Sequence, residues 1–206
     1  MIKIENVEVY GWKAAIVGMR NPTNSWAQDD SIIDKLGLVD IGENNLKLMK
    51  SLVKAGSDHS KFMRMITVTL DVVAPMYWWK EFDTYKIGTV RNSCSTMHKI
   101  HDKKFTLADF SYEKLIDSEE SWFGFMEQLI DALNCAREFF NETNDKTYWW
   151  QMIQLLPSSY NQRATLQLNY AVLRNMYHSR KNHKLDEWVD FCKWIESLPY
   201  SELITL

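Results

Sequence analysis

Seven glycines, four prolines and three cysteines in 206 residues leave little material for a loop-rich or disulfide-stapled fold. Cys94, Cys135 and Cys192 stand far apart with no CxxC pair, so neither a disulfide framework nor a zinc ribbon is encoded. A reducing compartment, the cytoplasm, is the expected location. No run of 18 uncharged apolar residues occurs, so no transmembrane helix and no membrane partner are expected. The opening Met1-Ile-Lys-Ile-Glu-Asn carries charges where a signal peptide has its apolar stretch, so export is not expected either. Net positive charge is also lacking. Lys and Arg number 24 against 27 Asp and Glu, a formal charge of −3, which gives no bulk field for a phosphate polymer and argues against polymeric nucleic acid as a partner. GxGxxG and GxxxxGK[ST] are both absent, which excludes Rossmann and P-loop phosphate cradles.

What the chain has is aromatic surface: nine Trp, nine Tyr and nine Phe, more than one small core needs, so some of it is expected at a ligand or at an interface with another copy. No repeat or Pro/Gly/Ser linker divides the sequence, and one domain over 1–206 is expected. Ile2, Ile4, Val7 and Val9 suggest a short strand, and Trp12 to Met19 a helix that stops before Pro22. Leu46, Met49, Leu52 and Val53 recur at helical spacing, with Asn44 or Asn45 as cap and Gly56 as the closing residue. Ile66, Val68, Leu70 and Val72 alternate with Thr67, Thr69, Asp71 and Val73, which predicts a strand ended by Ala74-Pro75. Met76 to Tyr85 is expected as a helix and Ile87 to Asp109 as a long loop. Ser121 to Phe140, Lys146 to Leu156, Tyr160 to Arg180 and Leu185 to Ser197 read as helices. The class is α+β with few strands.

Candidate chemistry concentrates between Tyr160 and Arg180. If this stretch is one helix, Asn169, Leu173, Met176 and Arg180 form a single stripe, because eleven residues at 100° bring Arg180 within about 20° of Asn169. Asn175 sits about 120° round, and Arg163 a turn and a half earlier. Amides and a guanidinium interleaved with apolar residues suit the edge of a planar heterocycle. The alternative is structural: Arg180 as a helix-end cation and Asn169 as a satisfied amide. The histidine pairs His98/His101 and His178/His183 have no third ligand at a metal-site spacing, so no metal is expected. Cys94 lies between Ser93 and Ser95 without a protease-like context and reads as a plain loop thiol.

Read with its flanks, the passage through Ala74-Pro75 resembles the flavin-dependent thymidylate synthase family, ThyX. Leu48 to Gly56, Met65 to Pro75 and Met76 to Lys86, followed by Ile87-Gly88-Thr89, match its order of helix, strand, Ala-Pro and helix. The stretch from Leu155-Leu156-Pro157 to Arg180 matches again without gaps, and Asn169, Asn175 and Arg180 coincide with the family's Asn, Asn and Arg. The family's Arg-His-Arg, seven residues, Ser signature is replaced by Thr84-Tyr85-Lys86 and Cys94, its loop Glu and Arg by Asn92 and Thr96, and a further Arg by Ile153.

The resemblance implies a ThyX-like fold, a small antiparallel sheet flanked by long helices, in a homotetramer whose sites are shared between subunits. It also implies FAD as cofactor and a pyrimidine nucleotide as partner, with catalysis by orientation while the flavin supplies hydride. A charge-assisted bond to phosphate is worth about 1.5–3 kcal/mol, so losing several of the family's cations at once redirects the pocket and weighs against FAD. Lys80, Lys86 and Arg91 are the candidate substitutes, but lysine cannot reproduce a bidentate fork. The expected function is therefore binding of a nucleotide or other heterocycle, for sensing or sequestration, through Arg180, Asn169, Asn175, Arg163, Lys86, Tyr85, Arg91, Lys80 and Cys94. The alternatives are a divergent flavin-dependent thymidylate synthase or pyrimidine-nucleotide methylase or hydroxymethylase, using FAD and methylenetetrahydrofolate, and a structural oligomer without ligand.

Overall fold

A computed structural model describes residues 1–34, 37–116 and 122–206. The described elements run β1 (Lys3–Tyr10), α1 (Trp12–Arg20), β2 (Ile32–Ile33), β3 (Val39–Asp40), α2 (Glu43–Lys54), β4 (Thr67–Pro75), α3 (Met76–Phe82), β5 (Val90–Ser93), α4 (Trp122–Thr143), α5 (Lys146–Leu155), β6 (Asn161–Asn169), α6 (Tyr170–Arg180), α7 (Asp186–Glu196) and α8 (Glu202–Thr205). Four strands form a sheet in the order β1-β4-β6-β5, and β2 pairs antiparallel with β3. The class is α+β, as the sequence predicts, and the small antiparallel sheet flanked by long helices is what the resemblance implies.

The chain divides into two compact units. The first comprises Met1–Lys3, Val73–Phe82 and Asn92–Ala164. Its apolar centre is the seam between α4 and α5, where Met126, Ile130, Leu133 and Met152 are buried with Phe105 and Phe110. Asn134 secures this seam by exchanging two 2.9 Å hydrogen bonds with the backbone of Phe105. Trp78 and Trp79 are buried, with Trp78 stacked on Phe82 at 5.3 Å.

The second unit comprises Ile4–Val72, Asp83–Arg91 and Thr165–Leu206. Ile66, Val68, Leu70 and Val72 of β4 are buried as their alternation requires, and Met49 and Val53 supply the buried face of α2. Leu173 and Met176 of α6 and Trp188, Phe191 and Ile195 of α7 are likewise buried. Arg20 is 2% exposed, and its guanidinium is held by Asn45 Oδ1 at 2.7 Å and the Gln28 carbonyl at 2.9 Å.

Four local expectations need correction. The segment expected as one helix from Tyr160 to Arg180 is a strand followed directly by a helix. Ala164, Leu166 and Leu168 are buried and Arg163, Thr165 and Gln167 exposed, a period of two that marks β6 as a strand with one covered face. The loop expected from Ile87 to Asp109 contains β5, which closes the sheet beside β6. The helix expected to reach Tyr85 ends at Phe82. Neither Asn44 nor Asn45 caps α2: Gly42 holds that position, and the Asp30 carboxylate accepts from the Asn44 and Asn45 N–H groups at 2.8 and 3.1 Å. Asn45 is thereby left to grip Arg20. The closing position of α2 is as expected, with Gly56 at φ +106°. The expected helix start at Ser121 lies outside the described residues.

Candidate functional site

In the second unit, α6 starts where β6 stops, and Asn169 occupies the junction. Its backbone is extended, and its side-chain Oδ1 accepts from the Val172 N–H at 3.0 Å, making it the N-cap of α6. Asn169 therefore does not share a helical stripe with Arg180, because the helix begins one residue later. The cap bond also fixes the amide: with Oδ1 engaged, Nδ2 faces the other way, toward Gly88. Gly88 sits at φ +77°, and a Cβ built on it would lie 3.1 Å from Asn169 Nδ2 and 3.0 Å from Val172 Cγ2. Glycine alone lets the loop backbone come this close in this conformation. The Thr89 hydroxyl donates to the Tyr85 carbonyl and closes the loop 85–89 on itself.

A cleft of about 340 Å³ opens at this junction, lined by Arg64, Ile87, Gly88, Asn169, Val172 and Asn175. Its walls are mostly apolar, with two amides and one guanidinium at the edges. Ile87 is 92% exposed, an apolar side chain left in solvent beside the cleft.

Arg180, at the far end of α6, is bracketed by two rings. Its guanidinium carbon lies 5.5 Å from the Tyr85 ring centre and 5.1 Å from that of Trp188, and its Nε donates to the Tyr85 hydroxyl at 2.8 Å. Tyr85, which stands where the resemblance places a histidine, thus engages the arginine that coincides with the family's own. Arg91 forms an ion pair with Asp83 at 2.7 Å, which satisfies the charge expected to serve a phosphate. Lys86 is exposed on the same loop as Tyr85.

Lys80, Cys94 and Arg163 belong to the first unit. Lys80 is exposed on α3, and Arg163 lies on a strand, not the helix expected of it. Cys94 is exposed beside β6, its N–H donating to the Arg163 carbonyl at 2.9 Å and its carbonyl accepting from Gln162 Nε2 at 2.6 Å. The nine expected residues are therefore split: Arg180, Tyr85, Lys86, Arg91, Asn169 and Asn175 in one unit, the other three in the second.

Sequence reasoning missed Arg64, Trp188, Arg174 and His178. Arg64, on the short turn of helix at Lys61–Arg64, lines three adjoining clefts. It follows an apolar pair with no motif around it, and nothing in the sequence distinguishes it. Ala171, Arg174, Asn175 and His178 do share one face of α6, a spacing that becomes readable once the helix is started at Tyr170. Among the described residues no group of three His, Cys, Asp or Glu side chains is placed to hold a metal ion. No helix among them is long and apolar enough to cross a membrane.

No protein-family model matches the chain, and no curated protein sequence does. Solved structures do match. The flavin-dependent thymidylate synthase ThyX from Helicobacter pylori, complexed with FAD and dUMP, aligns with a TM-score of 0.72 at 17% identity over 98% of both chains. A second structure of ThyX from Helicobacter pylori with FAD and dUMP gives 0.71 at 15% identity over 100% of both. The UMP/dUMP methylase PolB from Streptomyces cacaoi, bound with 5-Br dUMP, gives 0.62 at 15% identity over 96% of this chain and 89% of that one. Low identity over nearly the full length of both partners establishes architecture, and the chain has the ThyX fold.

Proposed function

We propose that this chain is a divergent ThyX-family protein that binds a pyrimidine nucleotide or a related flat heterocycle in a pocket redirected from standard thymidylate synthesis. The observation that carries this is the cleft at the β6–α6 junction. It offers apolar contact from Ile87 and Val172, a donor fixed by capping geometry at Asn169, the amide of Asn175 and the Arg64 guanidinium. A volume of about 340 Å³ lies at the lower end of the roughly 300–1,000 Å³ typical of ligand pockets, which suits one ring and its immediate substituents. The neighbours that share the fold hold dUMP or 5-Br dUMP, which supports a nucleotide as the occupant.

The residues do not fit FAD equally well. A flavin ring has apolar contact on offer from Ile87, Gly88 and Val172, but the loop that follows offers a diphosphate little free charge. There Arg91 is paired with Asp83, and Lys86 is a single flexible point charge. No flavin-dependent step is therefore assigned. The same reading includes one domain over 1–206, a cytoplasmic protein and a homotetramer. Exposed apolar side chains such as Phe125, at 72%, support self-association.

The test uses the capping geometry. Asn169→Asp keeps the oxygen that caps α6 and removes the Nδ2 donor. Calorimetric titration with uridine and uridine 5′-monophosphate is expected to show binding to the wild type and at least a tenfold loss in the variant, about 1.4 kcal/mol, with thermal stability retained. Equal affinity in both proteins, or no binding to the wild type, would refute the assignment. The visible spectrum separates the enzyme alternative: stoichiometric yellow flavin on the purified protein would transfer the reading to a divergent flavin-dependent methylase.

A further inference from the structure

Beside the ring cleft, on the neighbouring face of α6, lies a second cavity of about 330 Å³. Its polar lining is Ser57, Ser60, Arg64, Arg174, Asn175 and His178, and no carboxylate is among its lining residues. For a chain with a formal charge of −3, two arginines around one cavity without an acid is a marked local concentration of positive charge. Among the described residues Arg64 makes no ion pair or side-chain hydrogen bond, and Arg174 has no acidic partner.

Arg174 is nevertheless held in place. Its Nη1 donates to the Ile204 carbonyl of α8 at 3.1 Å and meets His178 Nε2 at 2.7 Å. A guanidinium only donates, so Nε2 is the acceptor and His178 is neutral. Burial, with the charges of Arg174 and Lys181, keeps the imidazole below its ordinary pKa, in agreement with that geometry. His178 therefore acts as a positioning residue for Arg174. Ser60 donates its hydroxyl to the Gly56 carbonyl at 3.0 Å and is used as a local brace. Asn175 accepts from Ser179 at 3.5 Å through Oδ1, which directs its Nδ2 elsewhere. Arg64, Arg174, Asn175 and Ser57 thus line one cavity with donors, and an anion is what two guanidinium groups without a carboxylate beside them call for.

We propose that this cavity is an oxyanion site that takes a phosphate group between Arg64 and Arg174, with Ser57 and Asn175 completing its hydrogen bonds. It supplies, from the short turn of helix at Lys61–Arg64 and from the middle of α6, two guanidinium groups of the kind that Thr84, Lys86 and Thr96 do not provide. The site stands on its own observations: a phosphate can bind here whether or not a ring occupies the adjoining cleft, and the shared Arg64 allows both to belong to one nucleotide.

The experiment titrates the full chain with inorganic phosphate, uridine and uridine 5′-monophosphate by calorimetry and phosphorus NMR, using wild type, Arg64→Gln and Arg174→Gln. Inorganic phosphate is expected to bind the wild type, and each substitution to weaken it about tenfold or more, as loss of a charge-assisted bond requires. Arg64→Gln keeps the test valid if Arg174→Gln fails to fold, because among the described residues Arg64 makes no ion pair or side-chain hydrogen bond that the fold would lose. Uridine 5′-monophosphate binding at least tenfold tighter than uridine would identify the phosphate as the nucleotide's. Phosphate binding with no such gain would assign the site to a separate phosphate source, and the oxyanion site would stand. Absence of phosphate binding to the wild type, or an unchanged affinity in Arg64→Gln, overturns it. Uridine binding without phosphate binding would overturn only this site and leave the ring cleft; phosphate binding without uridine would do the reverse.

Discussion

Replacing Tyr85 by phenylalanine removes one oxygen and leaves both rings around Arg180 in place. The lost contact is the 2.8 Å hydrogen bond from Arg180 Nε. Hydrogen bonds to charged groups are worth about 1.5–3 kcal/mol, and the partial exposure of both residues places this one near the lower end, about 1–1.5 kcal/mol after screening. The ring contacts at 5.5 and 5.1 Å add about 0.5–1 kcal/mol each and survive the substitution. For a chain of this size, about 1 kcal/mol lowers Tm by roughly 2–4 °C. The assay is urea denaturation of the wild type, Tyr85→Phe, Arg180→Met and the double variant, with the coupling energy taken from the cycle. A coupling near 1 kcal/mol is expected; additive effects within about 0.3 kcal/mol would show that the hydroxyl and the guanidinium do not sense each other. The same variants report on ligand reading. If Tyr85 withholds Arg180 from a nucleotide, Tyr85→Phe binds uridine 5′-monophosphate at least as tightly as wild type, whereas Arg180→Met binds it less. A Tyr85→Phe protein that loses binding would mean that the pair acts on the ligand together.

Two further expectations concern groups away from the clefts. Cys192 is buried and its pKa is pushed up by burial and Glu196 to about 11, so at pH 8 only about one molecule in a thousand carries its thiolate. Ellman's reagent is expected to modify the exposed Cys94 and Cys135 quickly and Cys192 only on denaturation; three fast thiols in the native protein would contradict the burial. Burial raises the Asp109 pKa, but hydrogen bonds from Lys103 at 2.6 Å and from the Thr106 N–H and hydroxyl outweigh it and hold the carboxyl below its ordinary 3.8. Its contribution to stability is present above that value and is lost as pH falls through the lower folded pKa. Asp109→Asn should therefore destabilise the protein at neutral pH, and urea midpoints should show the difference shrinking as the medium is acidified below the ordinary value; a gap independent of pH would refute the account.

Much of the fold was legible because its elements carry clean periods. Ile66 to Val72 alternates and is a strand with one buried face; Leu46 to Val53 repeats at three and four and ends at Gly56 as a helix should. The β6–α6 junction was misread for a physical reason. Leu166, Tyr170 and Leu173 satisfy a helical spacing across a boundary at which Ala164, Leu166 and Leu168 satisfy a period of two, and only sheet neighbours on both sides decide between them. The stretch after Ile87 carries too few apolar residues to announce β5, whose residues are mostly exposed. In the site, Arg180, Asn169 and Asn175 were identifiable from the sequence. The partners that define their chemistry were not, because Tyr85 and Trp188 meet Arg180 through tertiary packing alone. Arg64 stands among unremarkable neighbours and gains meaning only from the cavities it borders.

The direct passage from β6 into α6 also limits how this site can change. With no connecting loop at Asn169, an insertion or deletion there would either turn the strand's buried face outward or rotate the whole helix by about 100° and carry Arg174, His178 and Arg180 with it. Such changes displace all the cleft-lining groups of α6 at once. The segment from Tyr85 to Thr89 is a freer place for change, because single replacements there alter one wall of the cleft while the amide at the junction stays fixed, so ligand preference can drift without rebuilding the frame.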